Sequence, residues 1–152
     1  MALKLATGLT VSSIAFSQGG HIPKKYSCEG ENINPPLEIN RFPKETKTVA
    51  VILDDPDAPR GIFDHWLVWN LSPNEPISEN YAGGVSGRNS FGNIGYGGPC
   101  PPSGSHRYYF KVYALDTSLD LPEGSDKKQL QDAMQGHIIA SSELMAHYKK
   151  GG

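Results

Sequence analysis

The sequence lacks an excess of charge of either sign. Its 152 residues carry 14 Lys and Arg against 16 Asp and Glu, a formal net charge of −2. No basic run is longer than a pair such as Lys24–Lys25. Surfaces that bind nucleic acid need clustered basic charge, so no nucleic-acid partner is expected. The sequence also has no run of about 20 apolar residues, and we therefore expect no membrane-spanning helix.

Cysteine is scarce. The two cysteines, Cys28 and Cys100, are too few for a disulfide framework, and no C-x-x-C motif indicates a zinc or redox site. A single Cys28–Cys100 bond and two partly buried free thiols are the alternatives. We favour the free thiols, because unpaired cysteine is readily buried as a small apolar side chain.

The first 16 residues, MALKLATGLTVSSIAF, have no uninterrupted apolar run of the length that a secretory signal needs. Small and polar residues interrupt the apolar ones: Thr7, Gly8, Thr10, Ser12 and Ser13. We interpret Leu9–Phe16 as a first β-strand and expect a cytoplasmic protein.

Glycine and proline are abundant, with 17 and 12 residues, and they occur in clusters without a fixed period. This distribution is typical of a loop-rich, mainly β fold. A chain of this length is most simply one domain, residues 1–152. Besides Leu9–Phe16, three segments have the residue pattern of strands: Thr48–Leu53, His65–Leu71 and His106–Leu115.

Helices are predicted only near the C-terminus. Ser125 is a plausible N-cap for the segment DKKQLQDAM. Around and beyond Gly136, the spacing of Met134, Ile138, Met145 and Tyr148 predicts a terminal helix that packs against the sheet. The long stretch Ser72–Gly98 has many glycines and little periodicity, which favours a functional or mobile loop.

Acidic side chains follow one predicted strand directly and a histidine opens the next. Thr48–Leu53 runs into DDPDAP (Asp54–Pro59), and a short connection leads to His65. Strands joined by so short a link are most simply antiparallel neighbours. Asp55 or Asp57 should therefore lie near His65.

His106 opens the last of these predicted strands, and Tyr108 shares its face. If this strand runs in the direction of the one that begins at His65, both side chains reach the same edge. The flanking loops are stiffened by Pro56, Pro59, Pro99, Pro101 and Pro102. Backbone N–H groups can approach a ligand closely at Gly97, Gly98 and Gly104. A stiff loop with such donors beside histidines favours an anion such as phosphate or carboxylate.

Other interpretations of these residues stay open. Strand-end histidines and Asp–Pro turns are common without any function, and a purely structural role is one alternative. A serine hydrolase would need a held nucleophile, but Ser103 and Ser105 lie near His106 without a G-x-S-x-G motif. A metal site has acceptable ligand types but no tight ligand spacing in His65, His106, Asp55 and Asp57.

Two long motifs carry a family resemblance. DDPDAP with HWLVWNL, and then GYGGPCPPSGSHRYYFKVYALD, resemble the two sequence blocks of the phosphatidylethanolamine-binding protein family. The likeness is to its shorter bacterial and archaeal members, often called Raf-kinase-inhibitor-like. IPKKYSCEGENINPPLEI and GHIIASSELMAHY are similar as well, so the resemblance covers nearly the whole chain.

The resemblance implies a mainly β fold, with a central antiparallel sheet, a second small sheet and peripheral C-terminal helices. It also implies a non-catalytic pocket for a phosphate-like anion or phospholipid head group, with no cofactor, and a cis bond at Ala58–Pro59. Carried over position by position, the ligand-binding residues are Asp55, Asp57, His65, Pro99, His106 and Tyr108.

The chain departs from the animal members of the family in the short link from Pro59 to His65 and in its compact C-terminal segment. Kinase inhibition is therefore not carried over. A homodimer follows from the resemblance alone. The alternative function is a protein-interaction regulator, of the protease- or kinase-inhibitor kind, that acts through the loop Ser72–Gly98.

Overall fold

The computed structural model describes residues 8–152, which form mainly β structure. A short 3₁₀ turn covers Lys24–Tyr26. The strands and the helix, in chain order, are β1 (Thr10–Ser12), β2 (Glu38–Asn40), β3 (Thr48–Asp55), β4 (Phe63–Leu71), β5 (Val85–Ser86), β6 (Ser105–Leu115), α1 (Lys127–Met134) and β7 (Ile138–Lys149).

Five strands form one antiparallel sheet in the order β5-β4-β3-β6-β7, and β1 pairs with β2 in a separate two-stranded sheet. The prediction of a central antiparallel sheet with a second small sheet is confirmed. β4 and β6 both pair antiparallel with β3, so they run in the same direction on either side of it. The end of β3 therefore meets the beginnings of both neighbours.

The central strand β3 is buried on both faces, as its continuous apolar sequence predicts. Val49, Val51 and Leu53 belong to the larger core, which includes residues from the small sheet. Ala50 and Ile52 belong to a second core that also contains Leu130 and Met134 of α1. The sheet is thus covered on one face by β1, β2 and long loops, and on the other by α1.

The predicted C-terminal helix is wrong, because Ile138–Lys149 forms the edge strand β7. Its apolar residues also fit a period of two, since Leu144, Ala146 and Tyr148 are all buried. β7 pairs with β6 from Leu115 back to Ser105 and hydrogen-bonds an edge that would otherwise be unpaired. This long-range pairing outweighs the local helical preference, and α1 is the one helix of more than a single turn in residues 8–152.

Two predicted boundaries also shift. Leu9–Phe16 forms a strand only at Thr10–Ser12, although Leu9, Val11 and Phe16 are buried. Asp126, not Ser125, caps α1, because its side chain accepts a hydrogen bond from Gln129 N while the Gln129 side chain accepts one from Asp126 N. Ser125 donates its hydroxyl to Pro122 O instead.

The two cysteines are bonded to each other, so the expectation of free thiols is wrong. Their Cα atoms lie 5.4 Å apart although they are separated by 72 residues in sequence. Local sequence does not show that two cysteines so far apart in the chain come close together. Their contact depends on the packing of the loop after Tyr26 against the loop before β6. Within residues 8–152, no helix is long and apolar enough to cross a membrane.

A buried carboxylate attaches α1 to the sheet. Asp54 is 1% exposed, and its Oδ2 accepts hydrogen bonds from Lys111 Nζ at 3.1 Å and Lys127 Nζ at 3.0 Å. Nζ of Lys127, at the start of α1, also lies 2.8 Å from Oδ1 of Asp64 in β4. A buried charge is stable only when it is paired, so this cluster constrains where α1 docks.

We expect Asp54→Asn to lower the free energy of unfolding by about 2 kcal/mol, because Lys111 loses its anionic partner and Lys127 loses one of its two. Urea unfolding measures the change. The control is Asp132→Asn, which removes the exposed 3.2 Å pair with Lys128 on α1 and should cost no more than about 0.5 kcal/mol. Equal effects of the two substitutions would contradict this account.

Candidate functional site

The antiparallel pairing brings three strand ends together. Asp55 is the last residue of β3, His65 lies near the start of β4, and His106 near the start of β6. With Tyr108 they line one pocket of about 140 Å³. Four of the six sequence-predicted site residues therefore lie together.

A β-bulge turns His65 toward this pocket. β3 pairs Leu53 with Trp66 but Asp54 with Asp64, so His65 is the extra residue in β4. The Trp66 side chain belongs to the larger core, and regular alternation would place His65 on the opposite face. Instead, the His65 ring packs 5.3 Å from that of Tyr108, which lies in the same core as Trp66.

His65 is held in one neutral form by the backbone. Its Nδ1–H donates to Gly97 O at 2.7 Å, and Gly97 N donates to His65 O at 2.9 Å. Burial lowers the pKa of His65, since only 3% of the residue is exposed, and hydrogen bonding to Gly97 and the charge of Asp55 oppose this only in part. With the proton on Nδ1, Nε2 keeps its lone pair.

His106 is oriented by Asp55. Its Nδ1 lies 2.6 Å from Asp55 Oδ2, and the two side chains are 11% and 4% exposed. The second carboxylate oxygen of Asp55 accepts the backbone N–H of Asp57 at 2.7 Å. Asp55 thereby has partners for both oxygens, and Nε2 is the nitrogen of His106 that is left for a ligand.

Tyr108 forms the floor between the two histidines, with its ring centroid 5.3 Å from His65 and 6.4 Å from His106. Its hydroxyl is buried and forms no hydrogen bond of ordinary geometry within residues 8–152, although the Asp55 carboxylate and the Cys100 backbone lie close enough to shift its pKa in opposite directions. Burial raises the pKa of Tyr108, and the negative charge of Asp55 raises it further. The hydroxyl therefore stays protonated and is available as a donor.

The other two predicted residues do not line the pocket. Asp57 accepts hydrogen bonds from Arg107, at 2.7 Å from Nη2 and 2.9 Å from both Nε and the backbone N–H. These bonds lower the pKa of Asp57 to about 2. Asp57 thus fixes the loop after β3 to the start of β6 and acts on the pocket only by positioning.

Pro99 is buried behind the pocket, where its carbonyl accepts the N–H of Cys28 at 3.0 Å. The wall itself consists of the next three residues, Cys100, Pro101 and Pro102. Ala58 and Pro59 line the opposite side. Every peptide bond in residues 8–152 is trans, so the expected cis bond at Ala58–Pro59 is wrong; the trans preference before proline is small and sequence alone does not decide the isomer.

Two aromatic residues at the pocket were not predicted. Phe63 and Phe91 pack edge to face, with centroids 4.7 Å apart, and Phe91 lies 5.4 Å from His65. Phe63 could have been suspected from its position on the same strand as His65. Phe91 had no local signal, since it reaches the site only through the fold of the Gly-rich loop.

Two glycines allow the close packing around this loop. A Cβ on Gly97 would stand 2.6 Å from the Phe91 ring. A Cβ on Gly98 would overlap the carbonyl oxygen of Tyr26. The sequence-based expectation of close backbone approach at Gly97 and Gly98 therefore has a steric basis, although the neighbours are protein groups.

A larger cleft of about 320 Å³ lies between β2 and residues 71–77 and contains none of the predicted site residues. No group of three or more His, Cys, Asp or Glu side chains suited to a metal ion occurs in the part of the chain that the structure describes.

Comparison with known proteins gives a consistent result. Residues 12–149 match the model of the family described as phosphatidylethanolamine-binding protein. A UPF0098 protein of Methanothermobacter thermautotrophicus is 44% identical over 151 residues, which cover 94% of this chain and 100% of that protein.

Two solved structures share the fold. A homolog of phosphatidylethanolamine-binding protein from Chlamydia trachomatis, CT736, superposes with a TM-score of 0.91 at 47% identity, covering 95% of this chain and 99% of that one. YbcL of E. coli, described as a member of the mammalian family, gives a TM-score of 0.85 at 31% identity, covering 93% and 98%. The chain therefore belongs to the phosphatidylethanolamine-binding protein family.

Proposed function

We propose that the pocket binds a phosphate-like oxyanion, free or as a phosphorylated head group, without catalysing a reaction on it. The observation that carries this proposal is that the buried Tyr108 hydroxyl, which forms no hydrogen bond of ordinary geometry within residues 8–152, lies in one pocket with the rings of His65 and His106. A buried donor left unpaired costs about 1–3 kcal/mol, so an acceptor is expected at this position. An oxyanion supplies several acceptor oxygens at once.

The two histidines couple binding to a proton. Their Nδ1 atoms are already committed to Gly97 O and Asp55, so each Nε2 can donate to an anion only when the ring is protonated. An anion beside Nε2 favours the protonated ring. A ligand that carries its own proton, such as a phosphate monoanion, can instead donate to a neutral Nε2. In both cases, binding takes up one proton relative to the empty site and the fully ionised ligand.

The surroundings of the histidines favour binding over catalysis. Covalent catalysis by a serine, threonine or cysteine needs that side chain hydrogen-bonded to a base. The described residues that line the pocket include no serine or threonine, and the sulfur of Cys100 is bonded to Cys28, so neither histidine has such a nucleophile to activate. The pocket volume of about 140 Å³ suits a small oxyanion or head group, and the acyl chains of a lipid would lie outside it.

We expect His106→Ala to weaken the binding of inorganic phosphate by about 1–3 kcal/mol, because it removes one charge-assisted hydrogen bond. His65→Ala should have an effect of similar size. Isothermal titration calorimetry gives both values.

The matched control for these variants is His137→Ala. His137 Nδ1 also contacts a carboxylate, Asp116, at 2.9 Å, but this pair is exposed and belongs to the β6–β7 connection. Its substitution should leave the phosphate affinity unchanged. Unchanged affinity in both His65 and His106 variants would place the anion elsewhere.

We expect anion affinity to be higher near pH 6 than near pH 8. The free His65 ring has a lowered pKa and is neutral at neutral pH, while a bound anion raises that pKa, so binding takes up a proton and weakens as pH rises. Sulfate is the probe, since its charge does not change in this range. Calorimetric dissociation constants that are equal at both pH values would remove histidine protonation from the mechanism.

The alternative, a protein-interaction role for the loop Ser72–Gly98, rests on two apolar side chains. Phe91 and Ile94 are 43% and 45% exposed. An interaction with a protease or kinase through this loop would survive His106→Ala and be lost in Ile94→Ser, whereas anion binding would show the opposite pattern. A homodimer and a cytoplasmic location stay predictions. The Cys28–Cys100 bond bears on the location, because disulfides persist mainly in oxidising compartments.

A further inference from the structure

The disulfide reaches the pocket directly. Cys100 lines it, next to Pro101 and Pro102, while Cys28 lies in the loop that follows the turn Lys24–Tyr26. Both cysteines are exposed, so a small thiol reagent can approach the bond from solvent. A surface disulfide is thus a direct part of the wall of the proposed anion site.

The backbone before Cys100 is hydrogen-bonded to the loop that carries Cys28, whereas the three residues after Cys100 form no such bonds. Before it, Gly98 N donates to Asn32 Oδ1 at 2.8 Å and Cys28 N to Pro99 O at 3.0 Å. After it, residues 101–103 form no hydrogen bond with the rest of the described chain, and the next contact is Lys150 N to Gly104 O at 2.9 Å. Two of these three residues are prolines, which have no N–H to donate.

Cys100 is also coupled to the floor. Its backbone acts to lower the pKa of the Tyr108 hydroxyl, against the larger raising effects of burial and of Asp55. An oxyanion bound at Tyr108 would lie within the same field. The position of Cys100 therefore affects both the shape of the wall and the polarity of the site.

From this arrangement we propose that Cys28–Cys100 is a thiol–disulfide exchange site that sets the anion affinity of the pocket. The inference rests on the proposed function. The oxidised form holds Cys100 in place, so the wall is already ordered when the ligand arrives. The reduced form leaves residues 101–103 held only by the chain on either side and by the packing of the buried Pro101, so that ligand binding must order them further. We expect reduction to weaken phosphate binding by about three- to tenfold.

The co-reactant is a small dithiol. One of its thiolates attacks the sulfur of Cys28 or Cys100, the S–S bond breaks, and a mixed disulfide forms while the other cysteine leaves as a thiolate and takes a proton. The second thiol of the reagent then displaces the remaining cysteine. Two electrons and two protons pass to the protein, and the reagent leaves as a cyclic disulfide.

Reduction should not unfold the protein, because other contacts hold the loop that carries Cys28. Ser27 Oγ donates to Tyr148 Oη at 2.9 Å, and Tyr26 Oη donates to Glu79 at 2.8 Å. Tyr26 and Tyr148 both belong to the larger core. The reduced protein is therefore a suitable sample in which to measure affinity.

The experiment measures the dissociation constant of inorganic phosphate by calorimetry for the oxidised protein, for the protein reduced with dithiothreitol, and for the reoxidised protein. Circular dichroism checks that each sample is folded. The control is Cys28→Ser with Cys100→Ser, which should bind phosphate like the reduced protein and not respond to dithiothreitol. If this variant does not fold, the reversible cycle of the unaltered protein decides the question.

Weaker binding after reduction, restored by reoxidation, supports the proposal. Equal affinity in the folded oxidised and reduced protein would overturn it and leave the proposed anion site intact. Two free thiols that no oxidant closes would also overturn it. If phosphate binds neither form, the proposed function fails, and the redox inference fails with it.

Discussion

The pairing of β3 with both β4 and β6 is the constraint on which the site depends. An antiparallel strand necessarily places its C-terminal end beside the N-terminal ends of its neighbours. Because β3 is central, Asp55 at its end meets His65 on one side and His106 on the other. The Asp55–His106 contact of 2.6 Å then fixes the orientation of one imidazole.

Two adjacent aspartates at this strand end have different surroundings, and so different roles. Asp54 faces the side of α1, where Lys111 and Lys127 neutralise it. Asp55 faces the other side, where its Oδ2 lies 2.6 Å from Nδ1 of His106. The alternation of side chains along the strand separates them. One carboxylate therefore anchors a helix, while its neighbour positions a group that a ligand can reach.

Much of the site could be predicted because its residues lie at strand ends that the sequence pattern marks clearly. The runs that became β3, β4 and β6 are apolar or alternating, and the polar residues that follow or precede them are few. The errors have a different origin. Ile138–Lys149 fits both a helical and a strand period, and the unpaired edge of β6 decides between them. The role of Asp57 depended on Arg107, an exposed residue that no local pattern connects to it.

By itself, the sequence determined the strands β3, β4 and β6, the antiparallel pairing of β3 with β4 and the family, because these follow from local hydrophobic patterning, a short connection and two long motifs. Only the tertiary structure decided which side chains face the pocket. The bulge in β4 places the His65 side chain on the same face of the sheet as Tyr108, and the Gly-rich loop brings Phe91 beside His65. The packing of two loops that are distant in sequence brings Cys28 to Cys100. Each of these depends on contacts between residues far apart in the chain, which short-range patterns do not record.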